Sequence, residues 1–170
     1  MNWWAIVWTT IQQEFSDLAD AKQITQICVR LIIAVLLGGL LGYERERNES
    51  AAGLRTHMMV ALGAALFVIA PLQAGMPIED LSRVLQGVIA GIGFLGAGAI
   101  MKLSDNGRIK GLTTAASIWA TAAIGLAAGM GREMTAILST ALALVILAVL
   151  PRLETYIEKK QAQTVISPHK

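Results

Sequence analysis

Residues 24–43 read ITQICVRLIIAVLLGGLLGY, twenty positions with a single full charge, Arg30. At about 1.5 Å per residue such a helix is about 30 Å long, the thickness of a bilayer's hydrocarbon core. The stretch therefore predicts a transmembrane helix. Four more segments pass the same test of length and polarity, at 55–74, 84–101, 112–130 and 134–150. None of the five contains Asp or Glu. Arg55 and His57 open the second, where they reach the headgroup region, so Arg30 is the one charge well inside a span. The expected fold is all-α, a polytopic bundle of five transmembrane helices.

Composition agrees. The 170 residues are 55% hydrophobic, 15% charged and 5% aromatic, and mean hydropathy is +0.58. Soluble domains run about 45–50% apolar and about 25% charged, so both figures are displaced toward a membrane protein and away from a disordered chain. Cys28 is alone and no Cys/His pair has zinc-ligand spacing, which removes disulfide and zinc scaffolds. A net charge of +2 spread over mixed signs gives no reason to expect nucleic acid. The start, Met1-Asn2-Trp3-Trp4, lacks the basic region of a secretory signal, and cleavage is not expected.

Three regions follow: an N-terminal segment 1–22, a transmembrane domain 23–151 and a tail 152–170. In the first, Trp4, Trp8, Ile11 and Phe15 recur at helical spacing, which predicts a short interfacial helix; a tail that orders only against its neighbours is the alternative. After Pro151 the chain turns polar and is expected at the membrane surface or without fixed structure. Orientation follows from the bases. Arg45, Arg47, Arg55, Lys102, Arg108, Lys110, Arg152, Lys159, Lys160 and Lys170 fall on one side, and Lys22, Arg83 and Arg132 on the other. The excess predicts a cytoplasmic C-terminus and an N-terminus outside. A weak repeat with an offset of 58 aligns Gly53-Leu54-Arg55-Thr56 with Gly111-Leu112-Thr113-Thr114, and Gly38 with Gly96. Duplication of a helix pair and chance matching of a Gly/Ala-rich composition both explain it.

Gly91-Ile92-Gly93-Phe94-Leu95-Gly96 spells a dinucleotide fingerprint, but it lies inside an apolar span with no acid about 20 positions on to take a ribose hydroxyl. Nucleotide binding is rejected. Gly87, Gly91, Gly93, Gly96 and Gly98 read instead as small positions for close helix packing, and their number allows a kinked third span. In the fourth span Thr113, Ser117, Thr121, Gly125 and Gly129 share one face, and in the first Arg30, Ala34, Gly38 and Gly42 do so. Helix packing with self-bonded hydroxyls is the plain reading of the first stripe, a polar pathway the sharper one. Arg30 either snorkels outward or pairs with a carbonyl or an outer acid such as Asp80.

At the predicted cytoplasmic side, Tyr43-Glu44-Arg45-Glu46-Arg47 continues the first helix and reads mainly as a solvated end. Arg55, Lys102, Arg108 and Lys110 gather near the amino ends of the second and fourth spans, a basin suited to an anion, either lipid phosphate or a soluble phosphorylated ligand. No catalytic constellation is legible: His57 and His169 have no evident partners. No catalytic residue, metal site or cofactor is expected.

The segments LGGLLGYERERN, AGLRTHMMVALGAALF, RVLQGVIAGIGFLGAGAIMK and IKGLTTAASIWATAAIGLAAGMG together resemble the MgtC/SapB family of bacterial inner-membrane proteins, over about residues 28–131. The resemblance implies a small polytopic protein tied to adaptation to magnesium limitation and, in some pathogens, to survival inside host cells. Residue by residue it draws attention to Glu44, Arg45, Arg55, Thr56, Arg83, Gln86, Gly91, Gly93, Gly96, Gly98, Thr113 and Thr114. Ala90 departs from a serine frequent in the family. Many relatives resemble fusions with a soluble cytoplasmic domain, which this chain is expected to lack.

Three functions compete. The first is a non-catalytic membrane regulator that binds another membrane protein, a small ligand or itself. The second is a magnesium transporter or channel. Mg²⁺ is held mainly through carboxylates and keeps its waters, so five acid-free spans speak against it, although carbonyls of the glycine-rich third span are an alternative. The third is an oligomerisation scaffold.

Overall fold

The computed structural model describes residues 2–14, 20–102 and 110–166, and for 101–102 and 152–166 the backbone alone. Among the described residues there is no strand. The elements in chain order are α1 (Trp3–Glu14), α2 (Ala21–Arg47), α3 (Leu54–Gln73), a 3-10 turn (Ile78–Asp80), α4 (Leu81–Lys102), α5 (Leu112–Gly129) and α6 (Glu133–Ile166). Five helices, α2 to α6, are long and apolar enough to cross a membrane, and each predicted span lies within one of them to within two residues.

α2 begins three residues earlier than predicted, because the Asp20 carboxylate accepts the Lys22 backbone N–H at 3.0 Å and caps it. It also runs past Tyr43 through Glu44-Arg45-Glu46-Arg47, strong helix formers with bases in the last turn, where the helix dipole favours them. α4 passes through all five of its glycines as one continuous helix, so their number does not interrupt it. In an apolar medium an opened backbone hydrogen bond has no replacement, which outweighs weak glycine propensity. α6 continues as a helix beyond Pro151 to Ile166, so the described part of the tail has regular structure. Leu, Glu, Lys, Gln and Ala, all good helix formers, dominate that polar stretch. α1 is the short helix that Trp4, Trp8 and Ile11 predict; it buries no residue and exposes Trp3, Trp4 and Trp8. Phe15 lies outside the described residues.

α5 is the hub. It packs against α2, α3, α4 and α6, while α3 is wedged between α2 and α5. Ala34, Leu37 and Leu41 of α2, Ala61, Ala65 and Ile69 of α3, and Ile124 and Ala128 of α5 form one core with Ala136 and Leu147 of α6. A second cluster joins Ala64, Val68, Leu81, Ala122 and Leu126.

The small-residue stripes explain how the helices come this close. A methyl group built on Gly38 would stand 2.7 Å from the His57 carbonyl oxygen, and one on Gly42 would stand 2.7 Å from Leu54 Cα. On α5 a methyl at Gly125 would enter the Ala61 carbonyl and lie 2.9 Å from Ala61 Cα, and at Gly129 it would lie 2.7 Å from the Ala65 oxygen. Both predicted stripes therefore face α3, and the contact is backbone on backbone. The repeat is visible here too. Gly96 packs on Ala115, with 3.5 Å between its built methyl and the Ala115 Cβ, just as Gly38 packs on His57, and both pairs are related by the same offset of 58. Gly53 and Gly111 are likewise the N-caps of α3 and α5.

Replacing Gly125 with Ala should destabilise the protein by about 1–3 kcal/mol, because an α3–α5 contact with no free space must open. Gly63 of α3 faces open space. Gly63→Ala should be neutral or stabilising by up to about 1 kcal/mol. Unfolding in detergent micelles measures both.

Candidate functional site

The end of the bundle that carries the α2–α3 turn also carries the start of α5, and polar groups from all three meet there. The turn is closed by backbone bonds: Asn48 N–H donates to Arg45 and Glu44 carbonyls, Glu49 N–H to the Glu46 carbonyl, and Ser50 N–H to the Arg45 carbonyl at 3.0 Å. Glu49 takes φ 54°, in the left-handed region. Glu46 then reaches forward eight residues, and its carboxylate accepts the Leu54 N–H at 2.8 Å. That interaction caps α3 with a negative charge at the positive end of its dipole. Gly53 leaves room for it, since a methyl there would stand 2.8 Å from Glu46 Oε2.

Arg45 and Glu44 are joined side by side, Nε to Oε2 at 2.5 Å and Nη2 to Oε1 at 2.7 Å. Tyr43, Glu46 and Arg47 are exposed, as a solvated helix end requires, whereas Arg45 is buried at only 7% exposure. The following turn folds over it and its aliphatic stem is covered.

Beneath the turn lies His57, completely buried. Its Nδ1 is 2.9 Å from the Gly53 carbonyl oxygen and its Nε2 is 3.1 Å from Ser117 Oγ. A carbonyl only accepts, so Nδ1 carries a proton. Nε2 of the neutral ring is then an acceptor for the Ser117 hydroxyl, which also lies 2.8 Å from the Thr114 carbonyl. Ser117 thus has one proton and two acceptors within reach. Ser50 and Thr114 hydroxyls are 2.9 Å apart, tying the turn to α5, and Thr121 donates to the Ser117 carbonyl at 2.8 Å. No buried side-chain polar atom among the described residues lacks a partner. The expectation that His57 has no partner is corrected: its partners are 4 residues back and 60 residues ahead, and only the α3–α5 packing brings the second one in.

The other predicted residues separate into those that pack and those that do not. Thr114 is buried in the junction, whereas Thr113, its neighbour, is exposed. The α5 stripe is thus Thr114, Ser117, Thr121, Gly125 and Gly129, with Thr113 off it. Arg55 and Thr56 stand exposed in the first turn of α3, and Lys110 is exposed just before α5. Lys102 ends α4, and Arg108 lies outside the described residues. Arg83 and Gln86 are exposed on α4. Among the described residues Gly96 is the α4 glycine that meets another helix, while Gly91, Gly93 and Gly98 have nothing within 4 Å of a built methyl.

At the opposite end, Arg30 Nη1 donates to the Gly129 carbonyl at 3.2 Å. It caps the last turn of α5, a favourable place for a cation, and its partner is that carbonyl rather than Asp80. The turn that follows, Gly131 at φ 73°, is shaped around it: a methyl there would stand 2.5 Å from Nη2.

Glu46 and Ser50 are junction residues that sequence reasoning did not single out. Ser117 lies on the stripe legible in α5 and His57 at the start of the second span, but no local signal pairs them until the two helices meet. The geometry fastens three helix ends together. Among the described residues no group of three or more His, Cys, Asp or Glu is placed to hold a metal ion.

Residues 31–156 match the MgtC family. Among curated proteins, SrpB of Synechococcus elongatus is 44% identical over 136 residues, 74% of this chain and 75% of SrpB. YhiD of Escherichia coli, whose name marks it as a candidate magnesium transporter, is 38% identical over 135 residues, 75% of this chain and 62% of YhiD. MgtC of Salmonella typhimurium is 40% identical over 112 residues, 66% of this chain and 47% of its own length. No solved structure matches.

Ser117→Ala should cost about 1–3 kcal/mol, since it leaves the buried Nε2 of His57 without a partner. Added to His57→Leu, it should cost much less than it does alone. Chemical unfolding of the two single variants and the double variant measures that coupling.

Proposed function

The chain belongs to the MgtC family, and from that premise we propose that it is a non-catalytic regulator or binding module of the bacterial inner membrane, acting in adaptation to magnesium limitation. In a pathogen the same role would serve survival inside host cells. Its C-terminus faces the cytoplasm and its N-terminus the outside, an orientation supported by the excess of Lys and Arg around the α2–α3 turn, the α4–α5 connection and the tail.

The observation that carries this reading is the closed α3–α5 contact. The hydroxyl-bearing stripe of α5 was the best candidate for the lining of a polar path. Its glycines meet the α3 backbone directly and the hydroxyls of Thr114, Ser117 and Thr121 are bonded within the protein, which leaves no space between α3 and α5 for a hydrated cation. Mg²⁺ would have to shed tightly held water there with no carboxylate to replace it.

A second reading, magnesium transport, is suggested by the name of YhiD. It is favoured by a crevice of about 450 Å³ between α5 and α6, lined by Thr113 and Ser117 among apolar residues. Purified protein in liposomes with an internal Mg²⁺ dye separates the two. The regulator reading predicts no entry above empty vesicles. Entry that is lost on substituting Gln86 or Gly93 would establish transport instead.

The basic residues Arg55, Lys102, Arg108 and Lys110 are further proposed to hold an anionic headgroup at the cytoplasmic surface. One Lys or Arg near such a surface contributes about 1 kcal/mol, so Arg55→Gln should weaken association with anionic lipid about fivefold. Native mass spectrometry with phosphatidylglycerol reads this directly, and unchanged retention would remove the proposal.

A further inference from the structure

α4 is the spanning helix whose glycines, Gly96 apart, have no close neighbour among the described residues. A methyl built on Gly87, Gly91, Gly93 or Gly98 meets nothing within 4 Å, in contrast to the tightly covered glycines of α2 and α5. At about 100° per residue, Arg83, Gly87, Gly91, Phe94 and Gly98 fall within one face about 80° wide. Phe94 on that face is 81% exposed, more than any other large hydrophobic residue described. Beside it runs a hollow of about 400 Å³, bordered by Gly87, Gly91 and Phe67. One face therefore carries both a projecting ring and the small positions that admit one.

Apolar surface alone does not bring helices together in lipid, but close backbone approach at glycines does. What covers the face is indicated by charge. Arg83 heads the stripe, and Glu79 and Asp80 precede it by about one turn; all three are exposed and form no ion pair among the described residues. Two copies inserted in the same direction, related by a twofold axis along the membrane normal, bring these groups to one depth. Each Arg83 then faces the partner's acids, twice over. Such self-complementarity is what an isologous contact requires.

We propose that this face of α4 is the contact between two copies of the chain. Each Phe94 lies over the other copy's Gly91, about one turn away in depth, and Arg83 pairs with the other copy's Glu79 or Asp80.

The test is oxidative cross-linking in native membranes, with Cys28, which is exposed, replaced by Ser. Gly91→Cys should give a disulfide-linked dimer, while Ile89→Cys, exposed on the same helix but turned away from the stripe, should not. Arg83→Glu should reduce the Gly91→Cys dimer several-fold, and adding Glu79→Arg and Asp80→Arg should restore it. Because these positions pack on nothing in the monomer, its melting temperature should not change. Equal yields at positions 89 and 91, no restoration by the charge exchange, or an adduct of Gly91→Cys with a different protein would each overturn the proposal.

Discussion

The structure depends on the contact of α3 with α5, in which the backbone at Gly125 and Gly129 lies directly on the carbonyls of Ala61 and Ala65. In lipid, helices gain little from apolar surface as such, so an approach this close supplies dispersion contacts that larger side chains would forfeit. It also fixes the depth of α5 relative to α3. With that register set, Ser117 falls opposite His57, Thr114 opposite Ser50, and the end of α5 beside Arg30. The polar groups at both ends follow from the glycine contact between them.

The two ends work differently. At the α2–α3 turn the chain joins three helix ends through Glu46, Ser50, His57, Thr114 and Ser117, and buries an Arg–Glu pair beside them. A buried ion pair is weak support for stability as such, because desolvation offsets much of its attraction. Glu44 also accepts from the Asn48 side-chain amide at 2.8 Å, which links the pair to the turn. At the other end a single cation, Arg30, caps α5 and is enclosed by a left-handed glycine turn. Both arrangements satisfy groups that lipid would leave unpaired, and neither offers a vacant site to a metal.

The spans were legible because length and the absence of acids are properties of a segment alone. The stripes on α2 and α5 were legible as faces for the same reason, since periodicity says which residues share a side. Which side has a neighbour is a tertiary fact, and there the sequence misled. The glycines of α4 looked like a dense packing surface, yet of the five only Gly96 meets another helix among the described residues. Thr113 and Thr114 are adjacent and alike, and only the rotation of α5 against α3 buries one and exposes the other. His57 looked partnerless because its second partner lies 60 residues away. The duplication gained support in the opposite way: a short motif match became a repeated contact, Gly38 on His57 and Gly96 on Ala115.

The closed contact between α3 and α5 is the central claim, since it fixes the register of the polar junction and the proposed regulator role rests on it. Solid-state NMR of the protein in lipid, with ¹³C at the Ala61 carbonyl and at Gly125 Cα, tests it most directly. A strong dipolar transfer between the two labels, as atoms in van der Waals contact give, is the predicted result. Absence of transfer, as two helices parted by a water-lined passage would show, would contradict it.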